Sequence, residues 1–374
     1  MRIALAAGGT GGHLYPALGA AGELRRRDPG CDCFFFVSER GTERGALLDA
    51  GFPFAELPAR TLRGGAGACA AGLVRMARAY RRAGRLMRER GTEALVGFGA
   101  YVSVPPALAA RAMGLRLVIH ESNAVMGAAN RFLARFADAV ALGMPLETGG
   151  RPGRRGEVTG TPLRPGIARG MGRAEARRLL GIAPGALTLL VSGGSQGARA
   201  LNDAAAGAAG LLAREGGIQV VHLTGGRDAD GVRRAYAEAG VTAAVFPYLE
   251  EMERAYAAAD AAVCRAGAMT LAELAQARLP AVVVPLPSAA GNHQEANARR
   301  YERHGGVEVL LERDLTPGRL ADRVIRMLRD AAGRERMALA LRALARPDAA
   351  ERLAGLIERI VTGRGGASPP WGAR

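Results

Sequence analysis

Hydrophobic and polar positions along this chain alternate between two patterns. Short apolar runs at residues 3–7, 33–37, 94–96 and 117–119 are each followed by longer segments in which alanine, leucine and arginine recur at helical spacing. Unbroken apolar runs of this kind are strands buried on both faces, and strands alternating with helices build parallel sheets. Hairpin dipeptides between paired runs are absent, so the expected class is α/β with a doubly wound parallel sheet. The pattern restarts at residue 187, with strands expected at 187–191, 220–223, 243–246, 261–264 and 281–284. Two similar lobes facing each other across a cleft are therefore expected. The segment 149–170, rich in Gly, Pro and Arg, reads as the linker between them, with Gly160-Thr161-Pro162-Leu163-Arg164 at its core. A tail helix over 342–361, broken at Pro347-Asp348, is expected to cross back and brace the first lobe.

The length of 374 residues agrees with two domains. Hydrophobic residues make up 49% and charged residues 23%, which describes a soluble globular protein with ample core. The net charge is +16 and every basic residue is arginine, a bias that reads as a GC-rich genome. The excess still points to an anionic partner: nucleic acid, a membrane surface or a phosphorylated substrate. Aromatics at 5% argue against stacking platforms for single-stranded nucleic acid. Cys31, Cys33, Cys69 and Cys264 lack metal-ligand spacing, and a reducing cytoplasm is expected. The first apolar run breaks at Gly8-Gly9, too early for a secretion signal. The uncharged stretch 94–110 is interrupted by glycines and Pro105-Pro106, so it is not expected to span a bilayer.

Three turns carry the candidate chemistry. Residues 265–273, Arg-Ala-Gly-Ala-Met-Thr-Leu-Ala-Glu, follow an apolar run and open a helix. Such a turn leaves free N–H groups and a positive dipole end, and Arg265 adds a full charge. Met269, Thr270 and Glu273 share a helix face, where an acid suits ribose hydroxyls. The competing reading is an ordinary βα turn, with Glu273 solvated and Arg265 paired to a neighbouring acid. Gly8-Gly9-Thr10-Gly11-Gly12-His13 makes a second strand-to-helix turn, with His13 at its mouth. It is not the dinucleotide fingerprint, because Leu14 stands where the third glycine belongs. A lone histidine there is more often structural than catalytic. Ser192-Gly193-Gly194-Ser195-Gln196-Gly197 repeats the phosphate-type loop in the second half.

Two more stretches stand out. His120-Glu121-Ser122-Asn123 follows a strand, at the sheet edge where doubly wound folds bind ligands. Residues 60–90 hold nine arginines and one acid, Glu89. Leu73, Met76, Tyr80, Ala83 and Met87 fall on one helical stripe, and Arg75, Arg78, Arg82 and Arg85 on another. Either the apolar stripe faces the core and the arginines face water, or the element lies on an anionic membrane. In the second case Leu62, Leu73 and Val74 are the expected apolar contacts.

Taken in order, residues 8–13, 97–103, 120–123, 160–164, 193–199, 264–273 and 292–294 resemble one family over about residues 3–360. It is the bacterial MurG family of UDP-N-acetylglucosamine transferases that act on undecaprenyl-diphospho-muramoyl-pentapeptide. The resemblance implies a GT-B fold. Residues 1–160, with a C-terminal helix over 343–374 packing back, would form the acceptor lobe at the membrane, and 161–342 the UDP-GlcNAc donor lobe. It implies inverting transfer of GlcNAc to the C4 hydroxyl of the muramoyl residue in peptidoglycan synthesis. By position, Leu249 would set its backbone against uracil, Glu273 would hold the ribose, and Ser195, Arg164, Arg265 and Thr270 would surround the diphosphate. Gln294, Asn123 and the Ala268–Met269 backbone would read the sugar, with Thr10, Gly11 and Gly12 closing over it, and Leu271 and Ala272 would also be substrate-binding. His13 would be the general base, with Glu121 as base or orienting group. Helix N-termini and arginine would hold the leaving diphosphate, so neither a metal nor another cofactor is structurally required. The expected partners are the two substrates and anionic inner-membrane lipids, reached peripherally from the cytoplasmic face, with no nucleic acid.

The chain departs from the family at four positions. Ser122 stands where glutamine is usual, Thr161 for asparagine, Ala266 for serine and Gly291 for aspartate. Competing readings are a transferase with another lipid acceptor such as diacylglycerol, a UDP-GlcNAc 2-epimerase on a related scaffold, and a nucleic-acid-binding protein. The spread of charge over both halves, +10 in residues 1–165 and +6 beyond, argues against the last.

Overall fold

The computed structural model describes residues 1–8, 11–39, 43–59, 66–147, 156–194, 197–226 and 229–363. Thr10, Leu62 and Ser195 lie outside them. The chain folds as two compact units: residues up to Arg164 together with the segment from Asp348, and Pro165–Pro347. The elements of the first are β1 (Arg2–Ala6), α1 (Gly11–Arg27), β2 (Asp32–Ser38), α2 (Glu43–Asp49), β3 (Phe54–Leu57), α3 (Ala66–Glu89), β4 (Ala94–Gly97), α4 (Val104–Ala112), β5 (Arg116–Glu121), α5 (Ala128–Leu133), β6 (Ala139–Leu142) and β7 (Gly156–Val158). The second holds α6 (Pro165–Arg169), α7 (Arg173–Leu180), β8 (Leu187–Ser192), α8 (Arg199–Gly207), α9 (Ala209–Glu215), β9 (Ile218–Leu223), α10 (Ala229–Glu238), β10 (Ala243–Phe246), α11 (Met252–Ala258), β11 (Ala261–Cys264), α12 (Ala268–Ala277), β12 (Ala281–Val283), α13 (His293–Arg303), β13 (Val307–Val309), α14 (Pro317–Arg329) and α15 (Ala331–Leu344). α16 (Ala349–Thr362) returns to the first unit.

Among the described residues each unit has one parallel sheet, ordered β3-β2-β1-β4-β5-β6-β7 in the first and β10-β9-β8-β11-β12-β13 in the second. β1 pairs with both β2 and β4, in register Leu5 with Phe35 and Leu5 with Val96. β8 likewise lies between β9 and β11. The chain reverses its direction of winding at these central strands, so the loops after β1 and β4, and after β8 and β11, splay apart and leave a crevice. The Ile3–Ala6 part of β1 is at most 1% exposed, which explains its unbroken apolar sequence.

Helices cover both sheet faces of the first unit. α1 and α16 pack on one side, where Leu14, Ala17, Leu24, Leu353 and Ile357 share a cluster with Leu5 and Val96. Fully burying a Leu or Ile contributes about 1.5–3 kcal/mol, so α16 is a major part of this core. Arg27 ties the pair together, meeting Glu358 at 3.0 Å and the Glu351 carbonyl at 2.7 Å. α3, α4 and α5 cover the other side, where Ala83, Met87, Ala107, Ala110, Leu133 and Ala137 share a cluster with Ala4 and Leu95. Cys31 and Cys33 are core residues with their sulfurs 3.9 Å apart.

The structure corrects three expectations. Residues 156–158 are not linker but the last strand of the first sheet, paired with β6. β3, β6, β7 and β13 were not expected; each has only three or four residues, and all but β6 carry a glutamate. The α3 stripe also divides differently. Ala79, Ala83 and Met87 face the core, whereas Leu73 is 59% exposed and Tyr80 38% exposed. No described helix is long and apolar enough to cross a membrane.

Candidate functional site

In the first unit the crevice is built by the ends of β1, β4 and β5. His13 sits in the first turn of α1, with its Nδ1 2.7 Å from the Phe98 carbonyl oxygen. A carbonyl only accepts, so Nδ1 carries the proton and the ring keeps its basic lone pair on Nε2. Gly99 makes room for the ring. A methyl there would lie 3.1 Å from His13 Cε1 and 3.4 Å from Asn130 Nδ2, and its φ is +90°. Ser103 Oγ lies 2.9 Å from the Ala6 carbonyl and 2.5 Å from that of Gly99, which ties the β4 turn to β1. Gly11 and Gly12, half-buried, open α1 beside it.

Within this turn Ala100 has φ 58° and ψ 164°, a region populated almost only by glycine. Such a residue costs on the order of 1–3 kcal/mol. Part of that gain is offset because glycine loosens the unfolded chain. Ala100→Gly is expected to raise the melting temperature by about 2–4 °C, for a net gain near 1 kcal/mol. Calorimetry showing no rise would count against the strain.

The end of β5 is a buried polar network. Glu121, 3% exposed, accepts four hydrogen bonds: from the Asn123 backbone N–H at 3.0 Å, Asn123 Nδ2 at 2.9 Å, the Gly127 N–H at 2.9 Å and Asn130 Nδ2 at 3.0 Å. Asn130 Nδ2 also donates to the His120 carbonyl at 2.9 Å. A carboxylate so occupied positions its neighbours and is poorly placed to take a substrate proton, which corrects its reading as an alternative base. His120 Nε2 donates to the Gly160 carbonyl at 3.1 Å. Two of the departures from the family, Ser122 and Thr161, are neighbours. A methyl on Gly143 would touch both, at 3.0 Å from Ser122 Cα and 2.2 Å from Thr161 Oγ1. Arg164 stacks over the Tyr15 ring, 4.4 Å from its centroid.

In the second unit the β8 loop needs its glycines. A methyl on Gly193 would lie 2.3 Å from the Ala198 nitrogen, and one on Gly197 2.6 Å from the Thr224 oxygen. That oxygen also accepts from Asn202 Nδ2 at 2.8 Å, while Asn202 Oδ1 takes the Nε2 proton of His222 at 3.1 Å. Tyr236 donates its hydroxyl to His222 Nδ1 at 3.0 Å.

Burial holds both internal histidines neutral, depressing His120 to about 4 and His222 to about 3 from the ordinary 6.5. Above that ordinary value neither state is charged, so their contribution is complete. As the pH falls below it, the unfolded chain takes protons that the folded chain refuses. Each histidine then costs about 1.4 kcal/mol per pH unit until its folded value is reached. Thermal unfolding followed from pH 7 downward should show a steep loss below about pH 6.5, and a shallower one in His222→Gln.

α12 starts at Gly267 with no side-chain cap and no acid in its first turn. The first-turn N–H groups of Ala268, Met269 and Thr270 therefore suit an anion. Glu273 is 2% exposed and accepts from the Tyr256 hydroxyl at 2.8 Å, which removes the solvated reading. Leu271 is core, with Ala272 half-buried beside it. Gln294 Oε1 accepts from the Leu286 N–H at 3.0 Å, which directs its amide group. Leu249 is half-buried after β10. Arg265 has an acid beside it. Its guanidinium pairs with Glu312 and donates to the Val284 carbonyl at 3.2 Å, so in this structure it braces the end of β12, as the competing reading of a neighbouring acid had it.

On α3, Leu73 and Val74 are 59% and 53% exposed, Arg75 is half-buried, and Arg78 and Arg82 are exposed. Arg78, Arg81, Arg82 and Arg85 line a groove of about 450 Å³ with Pro58. Phe98, Asn130, Tyr256, Asn202 and Glu312 were not singled out by sequence reasoning. They act through a carbonyl or across long separations, and only the Glu121–Asn130 spacing carried a local hint.

Residues 3–142 match the glycosyltransferase family 28 N-terminal domain, and residues 188–353 its C-terminal domain. A relative from Nocardioides sp., named UDP-N-acetylglucosamine–N-acetylmuramyl-(pentapeptide) pyrophosphoryl-undecaprenol N-acetylglucosamine transferase, is 41% identical over 367 residues, covering 97% of this chain and 99% of its own. One of the same name from Desulforudis audaxviator is 38% identical, covering 96% and 98%. The crystal structure of Acinetobacter baumannii MurG superposes with a TM-score of 0.76 at 31% identity, over 96% of this chain and 99% of that one. A putative UDP-N-acetylglucosamine 2-epimerase from Listeria monocytogenes shares the fold at a TM-score of 0.68, but only 10% identity. With two parallel-sheet units of GT-B type and relatives of this identity along nearly its whole length, the chain belongs to glycosyltransferase family 28, in its MurG branch.

Proposed function

We propose that this protein transfers N-acetylglucosamine from UDP-GlcNAc to the C4 hydroxyl of undecaprenyl-diphospho-N-acetylmuramoyl-pentapeptide, at the cytoplasmic face of the bacterial plasma membrane. The observation that carries this reading is His13, fixed by Phe98 as the tautomer whose Nε2 accepts a proton. The acceptor is assigned to the first unit. There Nε2 takes the C4 hydroxyl proton as that oxygen bonds to C1 of the donor sugar. The C1–O bond to the diphosphate breaks with inversion, giving a β1→4 link and UDP.

The donor is assigned to the second unit. Glu273 holds the ribose, the α12 N-terminus and the β8 loop with Ser195 take the diphosphate, and the Leu249 backbone meets uracil. Gln294 reads the sugar, and Asn123, Thr10, Gly11 and Gly12 are assigned as substrate-binding residues of the first unit. Helix-terminal N–H groups supply the charge stabilisation the leaving UDP requires, so the proposal includes no metal. α3 lays Leu73 and Val74 on the anionic bilayer, with Arg75, Arg78 and Arg82 at the phosphates, and Leu62, earlier in the sequence, is assigned to the same surface.

The test is transfer of labelled GlcNAc from UDP-GlcNAc to a lipid-linked muramoyl-pentapeptide. Wild type should turn over, and Glu273→Ala should raise the donor KM about tenfold to a hundredfold through loss of charge-assisted hydrogen bonds. Tight UDP binding with no transfer to that acceptor would defeat the acceptor assignment.

A further inference from the structure

A line of three buried polar side chains ends at the β8 loop. Tyr236 on α10, His222 near the end of β9 and Asn202, the fourth residue of α8, are each at most 1% exposed. The line finishes on the Thr224 carbonyl, just past β9, which takes an Asn202 Nδ2 proton at 2.8 Å. Gly197 of the β8 loop lies directly against that carbonyl. A methyl there would fall 2.6 Å from the Thr224 oxygen and 3.1 Å from Gly225 Cα. The Gly197 N–H also closes a tight turn on the Gly194 oxygen, at 2.9 Å.

The polarity of the line is forced from its far end. A backbone carbonyl only accepts, so Asn202 must turn its amide protons to Thr224 and its Oδ1 to His222. That oxygen requires the proton on His222 Nε2, which leaves Nδ1 as an acceptor and makes the Tyr236 hydroxyl its donor. Donors aligned in this way polarise one another and hold a single arrangement in a dry interior. Packing alone does not call for such a set, since apolar side chains of similar volume would fill the space without polar groups to desolvate. What the polar line adds is a fixed place for one carbonyl, the one on which Gly197 rests. Through Asn202 it also fixes the start of α8, whose first turn has no side-chain cap and no acid.

We infer that Tyr236, His222 and Asn202 are positioning residues for donor binding. They hold the Thr224 carbonyl, and through Gly197 the β8 loop, in the shape that takes the diphosphate of UDP-GlcNAc. This role deepens the assignment of that loop to the diphosphate and rests on it. The three side chains are too deeply buried to meet the nucleotide themselves.

The experiment is calorimetric titration of the full chain with UDP and with uridine, read as the ratio of the two affinities, which isolates the diphosphate. Tyr236→Phe and His222→Leu should each lower that ratio about fivefold to tenfold, with uridine binding near wild type. His222→Gln should restore most of it, because an amide can accept from Tyr236 and donate to Asn202 as the ring does. In steady-state transfer the KM for UDP-GlcNAc should rise in step, while the KM for the lipid-linked acceptor stays at its wild-type value. Should His222→Leu fold poorly, Tyr236→Phe, which removes a single oxygen atom, provides the same comparison. Gly197→Ala sets a methyl against the Thr224 carbonyl and should lower the ratio as well. An unchanged ratio in Gly197→Ala would remove the loop from the diphosphate site, and this inference with it. If Gly197→Ala lowers the ratio but Tyr236→Phe and His222→Leu lower only the melting temperature, the line is core packing and the inference alone is overturned. Equal losses of UDP and uridine binding overturn it too, as does a His222→Gln variant as impaired as His222→Leu.

Discussion

His13→Ala is expected to lower kcat by about 10²–10⁴-fold, the range for removing a positioned general base, while leaving the donor KM near wild type. The separation follows from geometry. His13 is held in the first unit by the Phe98 carbonyl at 2.7 Å, and the uridine site is assigned to α12 in the second. The acid limb that an imidazole base gives to the kcat/KM profile should disappear with the side chain. Gly99→Ala should reproduce much of the loss without touching the base, since the added methyl would fall 3.1–3.2 Å from the ring in a backbone of φ +90°. Steady-state kinetics from pH 5 to 9 provide the check, over a window of roughly the imidazole range. A His13→Ala enzyme that keeps its turnover and its acid limb would place the base elsewhere.

Glu121→Ala is expected to be the most damaging change to the first unit's fold. The Asn123 backbone N–H, Asn123 Nδ2, the Gly127 N–H and Asn130 Nδ2 would each lose a carboxylate acceptor, with Asn130 Nδ2 keeping its bond to the His120 carbonyl. Each buried donor left unpaired costs about 1–3 kcal/mol, and water entering the space recovers part of this. A net loss of about 3 kcal/mol or more would lower the melting temperature by roughly 6–12 °C. Glu121→Gln should be nearly as harmful, because its amide group would face two of the donors with protons of its own. A catalytic base would behave differently, losing turnover as glutamine with its melting temperature intact. Thermal scans of the two variants beside their pH profiles distinguish these roles.

The parts of the fold legible in the sequence were those set by local chemistry. The β8 loop is readable because only glycine fits at Gly193 and Gly197, where a methyl would meet backbone atoms. The long buried strands are readable because both faces are covered. β3, β7 and β13 are edge-side strands of three or four residues, with Glu56, Glu157 and Glu308 in them. Their pairing comes from the sheet beside them and not from their own pattern. Arg265 shows the same limit within the site. Its residue type and place favoured an anion, but Glu312, across two strands of sequence, already supplies one. On α3, alanines at 79 and 83 take the core and leave larger side chains outside, because the helix lies close against α4. No ranking by side-chain size would have found that face.

The return of α16 to the first unit has a consequence for biogenesis. On the ribosome, residues 1–164 emerge first, yet Leu353, Ala354, Leu356 and Ile357 of their core are made more than a whole domain later. Until then α1 carries an open apolar groove, and the second unit has every residue it needs before the first does. The order of synthesis and the order of completion are thus reversed. Nascent chains stalled short of α16 should be the ones that engage chaperones and aggregate.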